Sequence, residues 1–323
     1  MIRLSAPHFW YRHGTTTAAL LKPFAYAWQA VTRNRIASAS PYRPRAKVIC
    51  IGNVAVGGAG KTPLAIGLAD ALREAGLCIT PCFLTRGFGG TAKGPAVIDP
   101  NSSVTHSGDE ALLLARHAPT IVSRDRVAGL KLADTNGHDV VICDDGFQNP
   151  SFAKDASLLV FDGTTGIGNG FCLPAGPNRE TLEDALPRAT AALIVGDDKT
   201  GLRAKLYAIP VFAAHFKAAY NLNGGKYLAF AGIGRPTKFF ETLAANNYDV
   251  VKAVPFPDHH AFSANELEKL ATEAAALGAT LITTEKDHVR LPDNFKSKVV
   301  ALPVSLKVDG LPELLTLLRT RLS

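Results

Sequence analysis

The stretch KVICIGNVAVGGAGKT, residues 47–62, decides the fold. In it an apolar run, Lys47 to Gly52, enters a glycine-rich turn that ends in Gly60-Lys61-Thr62. A loop that wraps phosphates needs inward-pointing backbone N–H groups, glycines where a side chain would block the approach, a lysine cation and a hydroxyl for a metal. Gly57, Gly58, Gly60, Lys61 and Thr62 supply all of these. Residues Pro63 to Leu72 read as a helix whose N-terminus adds partial positive charge beside the phosphates, and Pro63 suits its first turn. The strict G-x-x-x-x-G-K-[ST] pattern asks for glycine at position 55, where this chain has Ala55. Its glycines are shifted to 57 and 58, and Val56 stands where many variant-loop ATPases carry a lysine.

Working outward, apolar strand candidates alternate with helical patterns: VICIGN, CITPCFLTR, APTIVS, DVVICDD, ASLLVFDG and AALIVGDD, with helices such as Pro63 to Ala75 and Glu110 to His117 between them. Such alternation predicts an α/β fold with a mostly parallel sheet covered on both faces. Residues Tyr207 to Asn223 break the rhythm and read as a connection between domains. The pattern then restarts with KYLAFAGIGRP, YDVVKAVPF, TLITTEKD and VVALPVSLKV, separated by helices at Thr237 to Asn246 and Asn265 to Ala276, and closes with a leucine-rich helix. Ser263 and Glu266 form a candidate capping box. The expected organisation is an N-terminal segment (1–46) packed on the first domain, a phosphate-loop domain (47–220) and a smaller α/β domain (221–323).

With 323 residues, 47% hydrophobic and 8% aromatic, the chain fits a globular protein with ample core and excludes a disordered or integral membrane one. Its five cysteines, Cys50, Cys78, Cys82, Cys143 and Cys172, contain no C-x-x-C pair and lie mostly in apolar runs. They read as buried reduced thiols of a reducing cytoplasm. The net charge of +7 is unevenly spread: no Asp or Glu precedes Asp70, while nine Lys and Arg do. The N-terminal segment therefore favours something anionic: a membrane surface, a nucleic acid or an acidic ligand. Within it Leu21, Phe24, Trp28 and Val31 recur at spacings of three and four, with Lys22, Gln29 and Arg33 pointing elsewhere. This is an amphipathic helix, either packed on its own domain or lying in a headgroup layer. No run approaches the roughly 20 apolar residues of a membrane span, and no cleavable signal pattern follows the early arginines.

Asp144 and Asp145 end an apolar strand, where a carboxylate is placed to hold Mg²⁺ beside a phosphate loop. Asp109 and Glu110 open a helix, where acids stabilise the first turn; Asp109 is also a candidate proton acceptor for an attacking hydroxyl. Asp258-His259-His260 holds the chain's one His pair, without a third metal ligand at convincing spacing. Arg86 and Arg126 follow strand ends as candidate phosphate contacts, and Thr283-Thr284-Glu285-Lys286-Asp287 is a polar cluster after a strand.

Taken together, GNVAVGGAGKTP (52–63), TRGFGG (85–90), SGDE (107–110), DDGFQ (144–148), VFDG with GNG and LPAGPNRE (160–180), FPDHH (256–260) and TTEKD (283–287) resemble the tetraacyldisaccharide 4′-kinases of Gram-negative bacteria over nearly the whole chain. The resemblance implies ATP- and Mg²⁺-dependent transfer of a γ-phosphoryl group to the 4′-hydroxyl of an acylated disaccharide phosphate lipid. It implies that Asp109 is the base, paired with His259, and that Lys61 and Thr62 hold phosphates and metal. Asn53, Gly57, Gly58, Ala59, Gly60 and Pro63 would complete the nucleotide loop, and Asp144, Asp145 and Glu180 the acidic set. It further implies peripheral attachment, through the N-terminal segment, to the anionic cytoplasmic face of the inner membrane, with no nucleic acid and no obligate protein partner. The chain departs from the family pattern at Phe88, Ala111, Asn149 and Asn178. Competing readings of the loop alone are a nucleotide-switch ATPase and a soluble kinase of a small metabolite.

Overall fold

A computed structural model describes residues 6–218 and 224–323. The strands are β1 (Lys47–Gly52), β2 (Cys82–Thr85), β3 (Ala96–Val97), β4 (Thr120–Val122), β5 (Val140–Asp144), β6 (Ala156–Asp162), β7 (Ala191–Val195), β8 (Val211–Ala218), β9 (Lys226–Ala231), β10 (Asp249–Pro255), β11 (Ala279–Thr284), β12 (Val299–Leu302) and β13 (Val304–Val308). They form a nine-stranded sheet ordered β13-β8-β7-β6-β1-β5-β2-β4-β3 and a four-stranded sheet ordered β10-β9-β11-β12. In the large sheet every interior pairing is parallel; β3 against β4 and β13 against β8 are antiparallel and lie at its two edges. The small sheet is wholly parallel.

The interior strands read as continuous apolar runs because both of their faces are covered. β5, β6 and β7 are buried at every residue, and separate hydrophobic clusters fill the two faces of the large sheet. The helix Lys61–Glu74 turns Leu64, Leu68 and Leu72 into one of them at helical spacing. All five cysteines are buried and unpaired by disulfide, and Cys50 and Cys143 are register partners on β1 and β5.

The expected division into 47–220 and 221–323 needs correction at its far end. VVALPVSLKV reads as one apolar run, yet Pro303 divides it: β12 closes the small sheet while β13 crosses to the large one. Proline has no N–H for a ladder, so it marks where the chain leaves one sheet for the other. The helix Leu311–Leu322 follows β13 and buries Leu314 and Leu318 completely in the large sheet's core. Tyr207 to Asn223, read as a connection, contains β8, a full member of the large sheet. The expected boundary at 220/221 lies outside the described residues.

The N-terminal helix Thr16–Ala37 runs through Pro23 and is capped by the Thr15 side chain. Its packed face is narrower than the sequence pattern suggests. Ala18, Ala25 and Thr32 are buried, and Leu21 joins Phe171, Cys172 and Ala175. Phe24 and Val31, expected on the same face as Leu21, instead stand 64% and 69% exposed beside Leu20 at 77%. No helix among the described residues is long and apolar enough to cross a membrane.

Candidate active site

The carboxyl ends of the two parallel sheets meet, and the site lies where they do. From the large sheet come the loop after β1, Asp144-Asp145 after β5 and Asp162 at the end of β6; from the small sheet come Gly232 after β9, His259 after β10 and Lys286 after β11. Strand ends in a parallel sheet point their side chains and helix N-termini toward one crevice, which is why ligands gather there.

In the phosphate loop, a Cβ added at Gly57 or Gly58 would meet no atom within 4 Å, so the concavity is open to a ligand. Gly60 takes φ +96° to start the helix that carries Lys61 and Thr62. The missing glycine at position 55 has a structural reason. Ala55 is buried in an antiparallel bridge with Asn178, flanked by hydrogen bonds from the Val56 N–H to the Pro177 carbonyl and from the Arg179 N–H to the Val54 carbonyl. Extended backbone accepts a Cβ, so alanine suffices where the P-loop pattern has a glycine. Asn53 anchors the turn by accepting the Ala55 N–H on its side chain.

Thr62 donates its hydroxyl to Asp144 Oδ2 at 2.9 Å, while Asp144 Oδ1 is buried without a hydrogen-bond partner. Burial first, then the charges of Glu110 and Asp145, push the Asp144 carboxyl up to about 7 against the pull of Lys61 and Thr62. Asp145 differs: although burial raises its pKa, Lys61 at 3.7 Å and a two-pronged contact from Arg179 at 2.7 and 3.1 Å bring it to about 2. A buried carboxylate oxygen with no donor, next to a threonine hydroxyl, fits a hard divalent cation. No ready-made group of three His, Cys, Asp or Glu side chains exists among the described residues, so phosphate oxygens and water would complete such a coordination sphere.

Glu180 is placed differently from the acidic pair. Its oxygens are taken by Gln148, at 3.0 Å, and by Arg188, and Gln148 also reaches the Asn53 carbonyl and Arg179. Its hydrogen bonds serve the loop that carries Arg179, with none to Thr62 or Asp144.

Asp109, 3% exposed, receives His259 Nδ1 at 2.8 Å. Burial raises its pKa, but the His259 hydrogen bond and the charges of Lys286, His259 and Arg290 outweigh that and hold the carboxyl at about 2. Glu110 is bound by Lys286 at 2.9 Å. His260, its neighbour in the pair, turns away to Glu266 at 3.1 Å, so the two histidines do not share a metal. Asp145 and His259, at φ +55° and +54°, are two of three non-glycine residues with positive φ among the described residues; such strain persists where surrounding contacts enforce it. Phe88, a departure from the family pattern, lies 5.5 Å from the His259 ring. Gly90 and Gly108 let its loop touch the SGDE turn, since a Cβ on either would come within 2.6 Å of the other's backbone segment.

A family model described as tetraacyldisaccharide-1-P 4′-kinase matches residues 17–323. The chain belongs to the tetraacyldisaccharide 4′-kinase family. It is 48% identical over 327 residues to the Paramagnetospirillum magneticum tetraacyldisaccharide 4′-kinase, covering 99% of both chains. To the Rhodospirillum centenum tetraacyldisaccharide 4′-kinase it is 47% identical over 319 residues, covering 94% of this chain and 92% of that one. A crystal structure of Aquifex aeolicus LpxK in complex with ATP superimposes with a TM-score of 0.74 at 26% identity, over 95% of this chain and 99% of that one. The activity is that of the family, phosphorylation of the 4′-position of a tetraacyldisaccharide 1-phosphate; the switch and small-metabolite readings are not favoured.

Arg86 is exposed, whereas Arg126 is buried and donates to the Ser123 carbonyl, its charge reaching Asp145. Four residues absent from the sequence-derived site belong to it geometrically. Arg179 and Lys286 lie inside motifs that could have flagged them, LPAGPNRE and TTEKD. Arg235 and Lys238, both 2.6 Å from Asp162, carried no signal, because only the meeting of the two sheets gives them a partner.

Proposed function

We propose that the chain takes the γ-phosphoryl group from ATP, with Asp109 receiving or orienting the 4′-hydroxyl proton of the lipid acceptor. The contact that carries this reading is the 2.8 Å pairing of Asp109 with His259, made across the two sheets at the crevice that holds the phosphate loop. ATP is bound by the Aquifex aeolicus neighbour, and the open loop with Lys61 suits the same phosphates. Thr62 and Asp144, with Asp145 beside them, would hold Mg²⁺. Bound there, Mg²⁺ supplies neutralisation of the charge on the transferring phosphates.

The rest of the chemistry belongs to side chains. Phosphoryl transfer needs little covalent help, so positioning and charge dominate. A carboxylate held at about 2 does not strip a hydroxyl beforehand; it accepts a hydrogen bond from it and takes the proton as the phosphoryl group arrives. His259 fixes which way the carboxylate faces. Because His259 and Lys286 come from the small-sheet unit, the acceptor site is complete only with the two units together, an arrangement that excludes water from the reacting phosphoryl group.

The N-terminal helix ties a surface to this site. Trp28 Nε1 donates to the Arg179 carbonyl at 2.8 Å, and Arg179 grips Asp145. Beside Trp28, Leu20, Phe24 and Val31 form an exposed stripe at spacings of four and seven, in the acid-free, basic part of the chain. That combination supports an interfacial helix on the anionic cytoplasmic face of the inner membrane, where the acyl chains of the acceptor lie.

The test uses labelled ATP, detergent-dispersed tetraacyldisaccharide 1-phosphate and chromatography of the lipid. Asp109→Ala and His259→Ala should each lower turnover while ATP affinity stays nearly intact. Loss of ATP binding in both variants would overturn the assigned roles.

A further inference from the structure

We propose that Arg290 is a positioning residue for phosphoryl transfer, holding Asp109 and the His259 loop in register without touching substrate. This rests on the reading of Asp109 as the group that receives the hydroxyl proton. Arg290 lies outside every motif quoted above, just beyond TTEKD, and its side chain is 8% exposed.

Its guanidinium contacts Asp109 directly and reaches His259 through the backbone on either side of it. Nε stands 3.2 Å from Asp109 Oδ2, the oxygen that also receives His259 Nδ1. Nη1 donates to the Gly232 carbonyl at 3.1 Å and the His260 carbonyl at 3.4 Å. The Gly232 carbonyl in turn accepts the His259 N–H at 2.9 Å. Thus one planar group fixes a carboxylate from the large-sheet unit and the backbone that brackets His259 in the small-sheet unit.

The group is itself held from behind. Nη2 faces Asp287 Oδ1 at 3.2 Å, and Nε donates to the Lys286 carbonyl at 3.1 Å. Asp287 is fully buried, accepts the Gly232 N–H on both oxygens at 3.1 Å and takes the Thr284 hydroxyl at 2.7 Å. This gives the TTEKD stretch its duty: Thr284 and Asp287 brace Arg290, while Lys286 binds Glu110. The bracing matters because His259 sits at φ +54°, a backbone conformation that relaxes unless contacts enforce it. A fork of fixed geometry can serve three directions at once; the point charge of a lysine cannot.

The experiment is a double-mutant cycle on the full-length enzyme, with kcat and the KM for ATP measured on the detergent-dispersed acceptor. A shift of about 1 Å in a reacting group costs about 100-fold, so Arg290→Gln should lower kcat by about that factor and leave the KM for ATP within about threefold. Arg290→Lys, which keeps the charge and spares Asp287 an unpaired burial, should recover only part of kcat. In an Asp109→Ala background, either Arg290 variant should have almost no further effect, because the group it positions is gone. Where Arg290→Gln does not fold, the cycle is run with Arg290→Lys alone. Equal losses in the wild-type and Asp109→Ala backgrounds, or a wild-type kcat in Arg290→Lys, would overturn the positioning role. A wild-type kcat in Asp109→Ala would overturn instead the assignment of Asp109 on which it rests.

Discussion

Replacing Asp144 by asparagine should remove a specific pH dependence from the stability of the metal-free enzyme. Asp144 is 2% exposed, one of its oxygens has no donor, and burial with the charges of Glu110 and Asp145 pushes its pKa up to about 7. The folded value thus lies above the unfolded one of about 3.9. For an acid shifted in this direction, the stabilising contribution is fully present below the unfolded value and is lost as pH rises through about 7. Between about pH 6 and about pH 8 the loss amounts to about 1.4 kcal/mol. For a unit of this size about 1 kcal/mol moves Tm by about 2–4 °C, so the wild type should lose about 3–6 °C more than Asp144→Asn over that range. Thermal melts in EDTA at both pH values measure it. Other titrating groups are common to the two proteins and cancel in the comparison. Saturating Mg²⁺ and nucleotide should abolish the extra wild-type loss, since the cation takes the proton's place. Equal pH slopes for the two metal-free proteins would refute the assignment of Asp144 as an uncompensated carboxylate awaiting a cation.

Leu20→Ser, Phe24→Ser and Val31→Ser combined should weaken recovery on anionic vesicles and leave Tm nearly unchanged, because those side chains are largely exposed; unchanged partitioning would show that the stripe is not a membrane face. Leu318→Ala should cost about 2–5 kcal/mol, and hydrogen exchange should show the lost protection in β6, β7 and the helix Lys61–Glu74 rather than in β9 to β12. Gly52→Ala would bring a Cβ to 2.3 Å from the Phe147 Cβ, and should lower stability by about 1–3 kcal/mol in urea melts even though alanine is small. Asp162→Asn leaves Arg235 and Lys238 without their shared carboxylate, and should speed hydrogen exchange at the N-terminus of the helix Pro236–Ala245; unaltered exchange there would show that the pairings contribute nothing.

Local pattern made the phosphate loop, its strand and its helix legible, because each rests on contacts within a few residues. The alternating strands and helices, the Ser263–Glu266 capping box and the buried thiols follow from the same short-range rules, and the structure has all of them. Short-range pattern could not show that the chain returns at Pro303 to finish the large sheet, since an apolar run looks the same in either sheet. Nor could it sort the N-terminal helix, where Leu21 packs and Phe24 does not, because which stripe is covered depends on the loop at 171–175 that lies against it. Ala55, a departure by motif, became intelligible only through Asn178, its bridge partner more than a hundred residues on.

By itself, then, the sequence determined that a phosphate-binding α/β protein of this family would form, since loop chemistry and strand periodicity are written residue by residue. Only the tertiary structure decided which charges meet: Asp109 with His259 and Arg290, Glu110 with Lys286, Asp162 with Arg235 and Lys238. Each of these pairs joins the two sheets across at least 73 residues of sequence, and electrostatic contact depends on distance in space, which residue spacing does not encode.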